Sequence, residues 1–310
     1  MNFLYSAYYF LPNFSRLGLF GKAINKILAI ILKRIFDNFW PAYFKRTASS
    51  VGSGINTSET REIKFIVSLT SFPARINDIW ICIETILRQS FKPDMIILWL
   101  AEEQFPDKKL PDSITNLIPR GLTIRFCDNL RAHKKYYYTI SEFPDANVIT
   151  LDDDLYYHRD VLLNVVMLHV KYPGMITTNR AHKFTFDSTG IKPYRKWEHN
   201  VTDIKPSHLL MQTGGAGTLY PPGSLHPSAF NKAEIRSLCF QADDIWLKLM
   251  AFMNDTLVVT NQIYNKDNIT IASTQKEKLV STNVLGGGND NQFKEVCSYF
   301  SININSLNHE

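Results

Sequence analysis

Short runs of apolar and β-branched residues recur along the chain from residue 64 onward, and stretches with apolar positions at helical spacing separate them. The runs that predict buried strands are residues 64–70, 95–100, 122–127 and 148–151. Helices are predicted over residues 77–89 and around residues 134–140. Because nearly continuous apolar strands that alternate with helices indicate a parallel sheet covered on both faces, we expect an α/β fold. Ligands of such sheets bind beyond the carboxyl ends of the strands.

The first 46 residues differ from the rest of the chain in both charge and pattern. They carry seven lysines and arginines against one acidic residue, Asp37, whereas the whole chain has a net charge of only +5. Between residues 23 and 36, apolar positions recur at helical spacing with Lys26, Lys33 and Arg34 among them. Such a basic amphipathic helix suits a membrane interface with anionic lipid. The alternative is a helix that packs on the protein's own core or in an oligomer contact.

Three regions follow from these patterns. Residues 1–46 form the basic, aromatic segment, residues 47–62 are rich in serine, glycine and threonine and predict a flexible linker, and residues 63–310 form one domain. The N-terminal pattern predicts neither a secretory signal nor a membrane span, which needs about 18 consecutive apolar residues. We therefore expect a cytoplasmic protein in peripheral contact with the inner face of the cytoplasmic membrane.

Composition excludes several classes of protein. A chain of 310 residues with 45% hydrophobic and 20% charged residues has ordinary globular composition, which excludes disorder for the bulk of it. Because the positive charge lies in the N-terminal segment, no nucleic-acid-binding domain is indicated. The cysteines form no CxxC pair, which argues against a zinc site or a disulfide framework and favours reduced thiols.

Three consecutive aspartates, Asp152 to Asp154, directly follow the fourth predicted strand. Alternation in an extended backbone sends Asp152 and Asp154 to the same side. Two carboxylates that leave the other positions to water and phosphate suit Mg²⁺ or Mn²⁺ bound to a diphosphate. One alternative is a solvated acidic turn that caps the next helix. Another is a phosphatase, but its nucleophilic aspartate would usually follow the first strand, and a GxxxxGK[ST] phosphate loop is absent from the sequence.

A second acidic pair, Asp243 and Asp244, opens a helical stretch that extends to residue 254. Carboxylates at a helix start are commonly caps, although one of the two could act as a base on a sugar hydroxyl. The glycine-rich residues 214–217 fail the dinucleotide fingerprint because Tyr220 replaces its third glycine. They suit either a close approach of backbone to a ligand or a plain turn.

Taken in order, seven motifs resemble those of bacterial glycosyltransferases with the GT-A fold, which are typical of capsule and cell-surface polysaccharide assembly. The motifs are IVSLTSFPARI (66–76), IETILRQSFKPDMIILWLAEEQFP (83–106), RFCDNLRAHKKYYY (125–138), ITLDDDLYY (149–157), TGGAGTLYPPGSL (213–225), ADDIWLK (242–248) and GGNDNQ (287–292). The resemblance covers about residues 63–300. It implies a Rossmann-like nucleotide-sugar-binding sheet flanked by helices, preceded here by the amphipathic segment.

The resemblance also implies a role for each motif. Asp152 and Asp154 would hold Mn²⁺ or Mg²⁺ against the diphosphate of a nucleotide sugar, and Asp244, in preference to Asp243, would be the catalytic base for the acceptor hydroxyl. The residues implied in donor binding are Ser71, Arg75, Glu102, Arg131, Lys134, Lys135 and Asp153. Those implied beside the acceptor or donor sugar are Gly214, Gly215 and Trp246. A solvated helix start is the alternative for the basic run 131–135.

The implied activity is a metal-dependent transfer of sugar from a nucleotide-sugar donor to a hydroxyl of a lipid-linked or polysaccharide acceptor. Two other functions are compatible with the same residues. A nucleotidyltransferase that acts on sugar phosphates would use a similar sheet and metal, and a carbohydrate-binding scaffold protein of polysaccharide assembly would use the sheet without catalysis. The late motif at residues 287–292 contains no histidine to serve as a third protein ligand of the metal.

Overall fold

A computed structural model describes residue 14 and residues 18–202, 205–261, 269–276 and 287–309. Its centre is a mixed seven-stranded sheet with the strand order β12-β6-β11-β4-β1-β2-β3. The strands in chain order are β1 Phe65–Thr70, β2 Met95–Ala101, β3 Leu122–Cys127, β4 Asn147–Thr150, β5 Leu155–Tyr156, β6 Ile176–Thr178, β7 Ala181–Lys183, β8 Phe186–Asp187, β9 Gly190–Ile191, β10 Leu210–Gln212, β11 Thr218–Tyr220, β12 Val258–Thr260 and β13 Ile269–Thr270. Neighbouring strands of the large sheet are parallel except that β11 is antiparallel to both β4 and β6.

Helices cover both faces of this sheet. They are α1 Gly18–Thr47, α2 Ile79–Leu87, α3 Asp112–Thr115, α4 Lys134–Glu142, α5 Val161–Lys171, α6 Lys232–Leu238, α7 Asp243–Met253 and α8 Gly288–Tyr299. Alternation along β1 shows the two faces: Val67 and Leu69 pack in the core shared with α1, α2 and α5, whereas Ile66 packs on the other side with Trp99 and Ala146. The predicted α/β fold and its first four strands are confirmed.

Two buried contacts hold α2 to its surroundings. Glu84, whose side chain is buried, accepts hydrogen bonds from Arg88 in the next turn and from Arg120 after β2 and α3. The Arg88 guanidinium also lies over the ring of Phe44 of α1, 4.9 Å from its centroid. These contacts join α1 to the sheet through α2.

Helix α1 is longer than predicted and has two apolar faces. One face carries Phe36, Trp40 and Phe44, which are spaced by one turn and buried in the core of the domain. The other carries exposed apolar side chains at Phe20, Ile27, Ile31, Ile35 and Phe39. Within the described part of the chain, no helix combines the length and apolar character needed to cross a membrane.

Residues 48–62 connect α1 to β1 and lie against the domain. The backbone N–H of Gly54 donates to the Arg120 carbonyl at 2.8 Å, and that of Asn56 donates to the Pro93 carbonyl at 2.8 Å. Ile55 packs on the core that contains α1 and α2.

Candidate functional site

A cleft of about 710 Å³ opens at the carboxyl ends of the central strands. The turn after β1 contributes Ser71 and Arg75, and the turn after β4 contributes the three aspartates from Asp152 to Asp154. The starts of α4 and α7 contribute Lys134, Lys135, Asp243 and Asp244. These strand ends therefore open into one cleft, because parallel pairing of β1 with β4 brings their ends to the same edge.

The three aspartates have different surroundings. Asp153 is buried, accepts a 2.5 Å hydrogen bond from the Ser71 hydroxyl and forms an ion pair with Arg75. The Arg75 guanidinium also lies 3.2 Å from the Asp154 carboxylate, which accepts a second hydrogen bond from Gln275 at 3.0 Å. Asp153 thus anchors Ser71 and Arg75, and Asp154 is held from two sides at the cleft wall.

Mutual repulsion is present in this cluster. Burial, followed by the negative charge of Asp152, raises the pKa of Asp154 to about 6. For Arg75, burial alone would lower the pKa, but the charges of Asp153 and Asp154 outweigh it and raise the pKa above its usual value. Arg75 stays protonated and offsets part of the negative charge of the cluster.

Lys135 joins the two acidic groups of the cleft. Its ammonium lies 2.7 Å from a carboxylate oxygen of Asp152 and 2.9 Å from one of Asp243. Burial would lower the pKa of Lys135, but the charges of Asp152 and Asp243 raise it well above its usual value. The lysine is therefore a permanent cation between residues that are far apart in the sequence.

The two carboxylates of the second acidic pair differ in protonation. Burial would raise the pKa of Asp243, but Lys135 and then His133 lower it below the usual range. Burial and the charge of Asp243 raise the pKa of Asp244 to about 7, and the N–H of Gly214 donates to it at 2.8 Å. Asp244 is thus the member of the pair that can take up and release a proton near neutral pH.

Glycines bring the loop before β11 close to both acidic groups. A Cβ atom on Gly215 would lie 2.4 Å from an Asp152 carboxylate oxygen, and one on Gly214 would lie 3.0 Å from an oxygen of Asp244. Only glycine leaves both carboxylates in place at these positions. The close approach that these glycines permit is therefore one of the loop backbone to the two carboxylates.

The donor set of the cleft fits a divalent metal in part. Asp152 and Asp154 offer hard oxygen donors on one wall, and their mutual repulsion would be relieved by a cation. Across the ranges that the structure describes, no cluster of three or more His, Cys, Asp or Glu side chains is arranged around a common metal position. The protein would therefore supply two carboxylates, and phosphate and water oxygens would supply the rest.

Two further cations line the cleft. Lys134 is buried, its ammonium lies 3.4 Å from the side-chain oxygen of Asn129, and burial lowers its pKa to about 8. Arg131 is at the rim, with its guanidinium 4.9 Å from the centre of the Phe240 ring and with a positive φ of 50°. Both residues line the cleft, but Lys134 is buried at the start of α4, whereas Arg131 is exposed at the start of the 3₁₀ turn Arg131–His133.

Two predicted site residues lie elsewhere. Glu102 begins the 3₁₀ turn Glu102–Gln104 after β2, which directs its side chain into solvent, where it pairs with Lys108 at 3.1 Å. Trp246 is 0% exposed, because its side of α7 faces the core, and its indole N–H donates to the Ala229 carbonyl at 3.3 Å. Neither side chain lines the cleft. The predicted contact of Trp246 with a sugar is wrong because the side chain is buried, whereas the predicted contact of Glu102 with a nucleotide stays a prediction.

Several amide side chains line the cleft and were not predicted. They are Gln104, Asn129, Gln241 and Gln275. Neutral amides leave no charge or spacing pattern in a sequence, and Gln275 comes more than a hundred residues after the acidic cluster that it contacts. Their part in the site follows from tertiary structure alone.

Comparisons with the sequences and structures of known proteins give only distant similarities. No protein-family model and no curated protein sequence matches the chain. Among solved structures, the mannosyltransferase PcManGT from Pyrobaculum calidifontis, in complex with GDP-Man and Mn²⁺, is 14% identical with a TM-score of 0.28 and aligns over 49% of this chain and 46% of its own. A 4-diphosphocytidyl-2C-methyl-D-erythritol synthase is 10% identical with a TM-score of 0.36 and aligns over 74% of this chain and 98% of its own. The chain matches less than half the length of the mannosyltransferase, and both scores are too low for either similarity to indicate a function.

Proposed function

We propose that the protein is a metal-dependent glycosyltransferase that moves a sugar from a nucleotide-sugar donor to an acceptor hydroxyl. One observation carries the proposal: two acidic groups, at Asp152–Asp154 and at Asp243–Asp244, line a common cleft and are bridged by Lys135. One group suits the diphosphate end of a donor, and the other suits an acceptor that must lose a proton.

On the donor side, Asp152 and Asp154 would hold Mn²⁺ or Mg²⁺, which when bound neutralises charge that develops on a departing diphosphate. Lys134 and Arg131 line the same cleft and can bind phosphate oxygens. Ser71 and Arg75 keep the cluster in place through Asp153. Because Lys134 and Arg131 line the cleft together with the three aspartates, the diphosphate is expected between the acidic cluster and the start of α4.

On the acceptor side, Asp244 takes the proton of the acceptor hydroxyl. The acceptor oxygen then forms a bond to the anomeric carbon as the bond from that carbon to the diphosphate breaks, and the nucleoside diphosphate leaves with the bonding electrons. A carboxylic acid with a pKa of about 7 suits this role because it is ionised in a large fraction of molecules at neutral pH and holds a proton strongly enough to accept one. Asp243 stays ionised beside Lys135 and keeps that lysine in position.

The experiment is a panel of nucleotide sugars with Mn²⁺, followed by thermal shift and by donor hydrolysis. Asp152→Ala and Asp154→Ala should lose metal-dependent donor binding and turnover, whereas Asp244→Asn should keep donor binding and lose transfer. Normal turnover of the Asp152 and Asp154 variants after metal removal would overturn the mechanism.

A nucleotidyltransferase is the second candidate, because Arg75, Arg131 and Lys134 provide three cations along one cleft, enough for a nucleoside triphosphate. The two reactions differ in their products. A glycosyltransferase releases a nucleoside diphosphate from a sugar donor, whereas a nucleotidyltransferase releases pyrophosphate from a triphosphate and a sugar phosphate. Pyrophosphate release with any triphosphate would favour the second candidate.

The proposal extends to the place where the protein works. The outward face of α1 is apolar, with Phe20 72% and Ile27 57% exposed, and exposed Lys22, Lys26 and Arg34 lie on the same helix. An apolar helix face with basic residues along it complements an anionic lipid surface. We place this face on the inner side of the cytoplasmic membrane, where a lipid-linked acceptor in cell-surface polysaccharide synthesis would be met.

Flotation with vesicles tests the membrane contact. The full chain should float with vesicles that contain phosphatidylglycerol, and Ile27→Glu combined with Ile31→Glu should abolish flotation. Val170→Glu is the matched control, since Val170 on α5 is also an exposed apolar residue, at 69%. Equal flotation of all three proteins, or a dimer in solution that the α1 variant disrupts, would contradict the membrane contact.

A further inference from the structure

The segment 269–276 lies between α1 and the acidic cluster and contacts both. Strand β13 of this segment pairs in antiparallel register with β5, which directly follows the three aspartates. Ile269 and Ile271 are buried in the same core as Phe36 of α1 and Tyr156 of β5. The segment is therefore packed against the very turn that carries Asp154.

On one side, α1 holds this segment by polar contacts. A carboxylate oxygen of Asp37 accepts hydrogen bonds from the backbone N–H of Ala272 at 3.0 Å and from the hydroxyl of Tyr156 at 3.2 Å. One turn before Asp37, the ammonium of Lys33 donates to the hydroxyl of Thr270 at 2.5 Å. Asp37, the acidic residue of the basic segment, thus caps the 3₁₀ turn Ala272–Lys276.

On the other side, the segment holds Asp154. The N–H of Ile271 donates to the backbone carbonyl of Asp154 at 2.8 Å, and the side-chain amide of Gln275 donates to its Oδ2 at 3.0 Å. Arg75 also meets Oδ2. Because both side-chain contacts fall on the same oxygen, they determine the direction in which Oδ1 points.

We propose that Gln275 and Asp37 are positioning residues, through which α1 fixes the orientation of the Asp154 carboxylate for a metal ion. Gln275 acts on the carboxylate itself, and Asp37 acts on the turn that presents Gln275. The inference rests on the proposed metal site at Asp152 and Asp154. It gives α1 a role in the chemistry of the cleft in addition to its outward face.

The test is the affinity of the folded full chain for Mn²⁺ alone, measured from the electron paramagnetic resonance of free Mn²⁺ during titration. Gln275→Ala and Asp37→Ala should each weaken Mn²⁺ binding about 10-fold, the usual loss when a group that orients a metal ligand is removed. Asp37→Asn keeps an acceptor oxygen for Ala272 and Tyr156, so it should bind Mn²⁺ like the parent protein. Lys45→Ala changes α1 at its contact with Trp80, away from the segment, and should also bind normally.

The outcomes separate this inference from the proposed function. If Asp154→Asn abolishes Mn²⁺ binding while Gln275→Ala and Asp37→Ala leave it unchanged, Arg75 alone orients the carboxylate and the inference is overturned. If Asp154→Asn leaves Mn²⁺ binding unchanged, the proposed metal site itself is wrong and the inference falls with it. Circular dichroism identifies variants that fail to fold, and Gln275→Ala decides the matter if Asp37→Ala is among them, because Gln275 lies at the cleft wall outside the core.

Discussion

Replacement of Lys135 by methionine tests the central electrostatic feature of the cleft. Methionine keeps much of the length of the lysine side chain and removes its charge, which leaves Asp152 and Asp243 without the cation that bridges them. The Lys135 side chain is only 5% exposed and that of Asp243 only 12%. Loss of one partner from a buried ion pair costs about 3 to 5 kcal/mol, because the remaining charge is buried and uncompensated.

The lower end of this range is appropriate here, because the Asp152 side chain is 39% exposed and water can screen it. We expect Lys135→Met to lower the free energy of unfolding by about 3 kcal/mol. At roughly 2 °C per kcal/mol for a chain of this size, the melting temperature should fall by about 6 °C. Differential scanning calorimetry and urea unfolding at pH 8 measure both quantities.

The loss should also depend on pH in a defined direction. In the parent protein Lys135 lowers the pKa of Asp243, so the stability from this pair is present above the pKa of an unfolded aspartate, about 3.9, and is lost as the pH falls through the lower folded value. In Lys135→Met, burial without the cation raises the pKa of Asp243, and the variant regains stability as protonation sets in. The difference between the two proteins should therefore shrink from pH 8 towards pH 5.

Lys134→Met is the matched control, since it removes the neighbouring charge. Burial lowers the pKa of Lys134, so its charged form is disfavoured in the folded state and its removal should not lower the free energy of unfolding. An equal loss in both variants, or a loss in Lys135→Met that does not vary with pH, would refute the bridging role of Lys135.

Two further predictions concern the acidic groups separately. Because burial and the charge of Asp243 raise the pKa of Asp244 to about 7, kcat/KM should rise about 10-fold per pH unit below pH 7 and level off above it. Asp244→Asn should remove this rise with pH. A pH-independent kcat/KM in the parent protein would exclude Asp244 as the base. Gly215→Ala places a methyl group 2.4 Å from an Asp152 oxygen and should weaken Mn²⁺-dependent donor binding at least about 10-fold in calorimetric titration. Gly52→Ala is the control, because its Cβ meets nothing within 4 Å, and it should bind the donor like the parent protein.

Much of the donor side could be predicted because its residues are local in the sequence. The turn after β1 and the turn after β4 are each short and follow apolar strands, so parallel pairing alone brings Ser71, Arg75 and the three aspartates together. Glu102 also follows a strand, yet the 3₁₀ turn after β2 directs it into solvent, a choice of backbone conformation that strand pattern does not encode.

The amphipathic segment shows a similar division. Helical spacing predicts apolar faces on α1. It does not show which of them is buried on the core and which is exposed to solvent, because both faces are apolar. Packing against α2 decides that Phe36, Trp40 and Phe44 are the buried set and leaves Phe20 and Ile27 outside. Trp246 is a comparable case, because which side of α7 faces the cleft depends on the helices around it.

Periodicity and short motifs are local properties of the chain, and they are enough to predict the α/β fold, the strand ends at the cleft and its acidic groups. Three other features emerge with folding: Lys135 bridges Asp152 and Asp243, Asp244 has the higher pKa of its pair, and Gln275 and Asp37 connect Asp154 to α1. The physical reason is that these effects depend on burial and on distances of a few ångströms between residues that the chain brings together from distant positions.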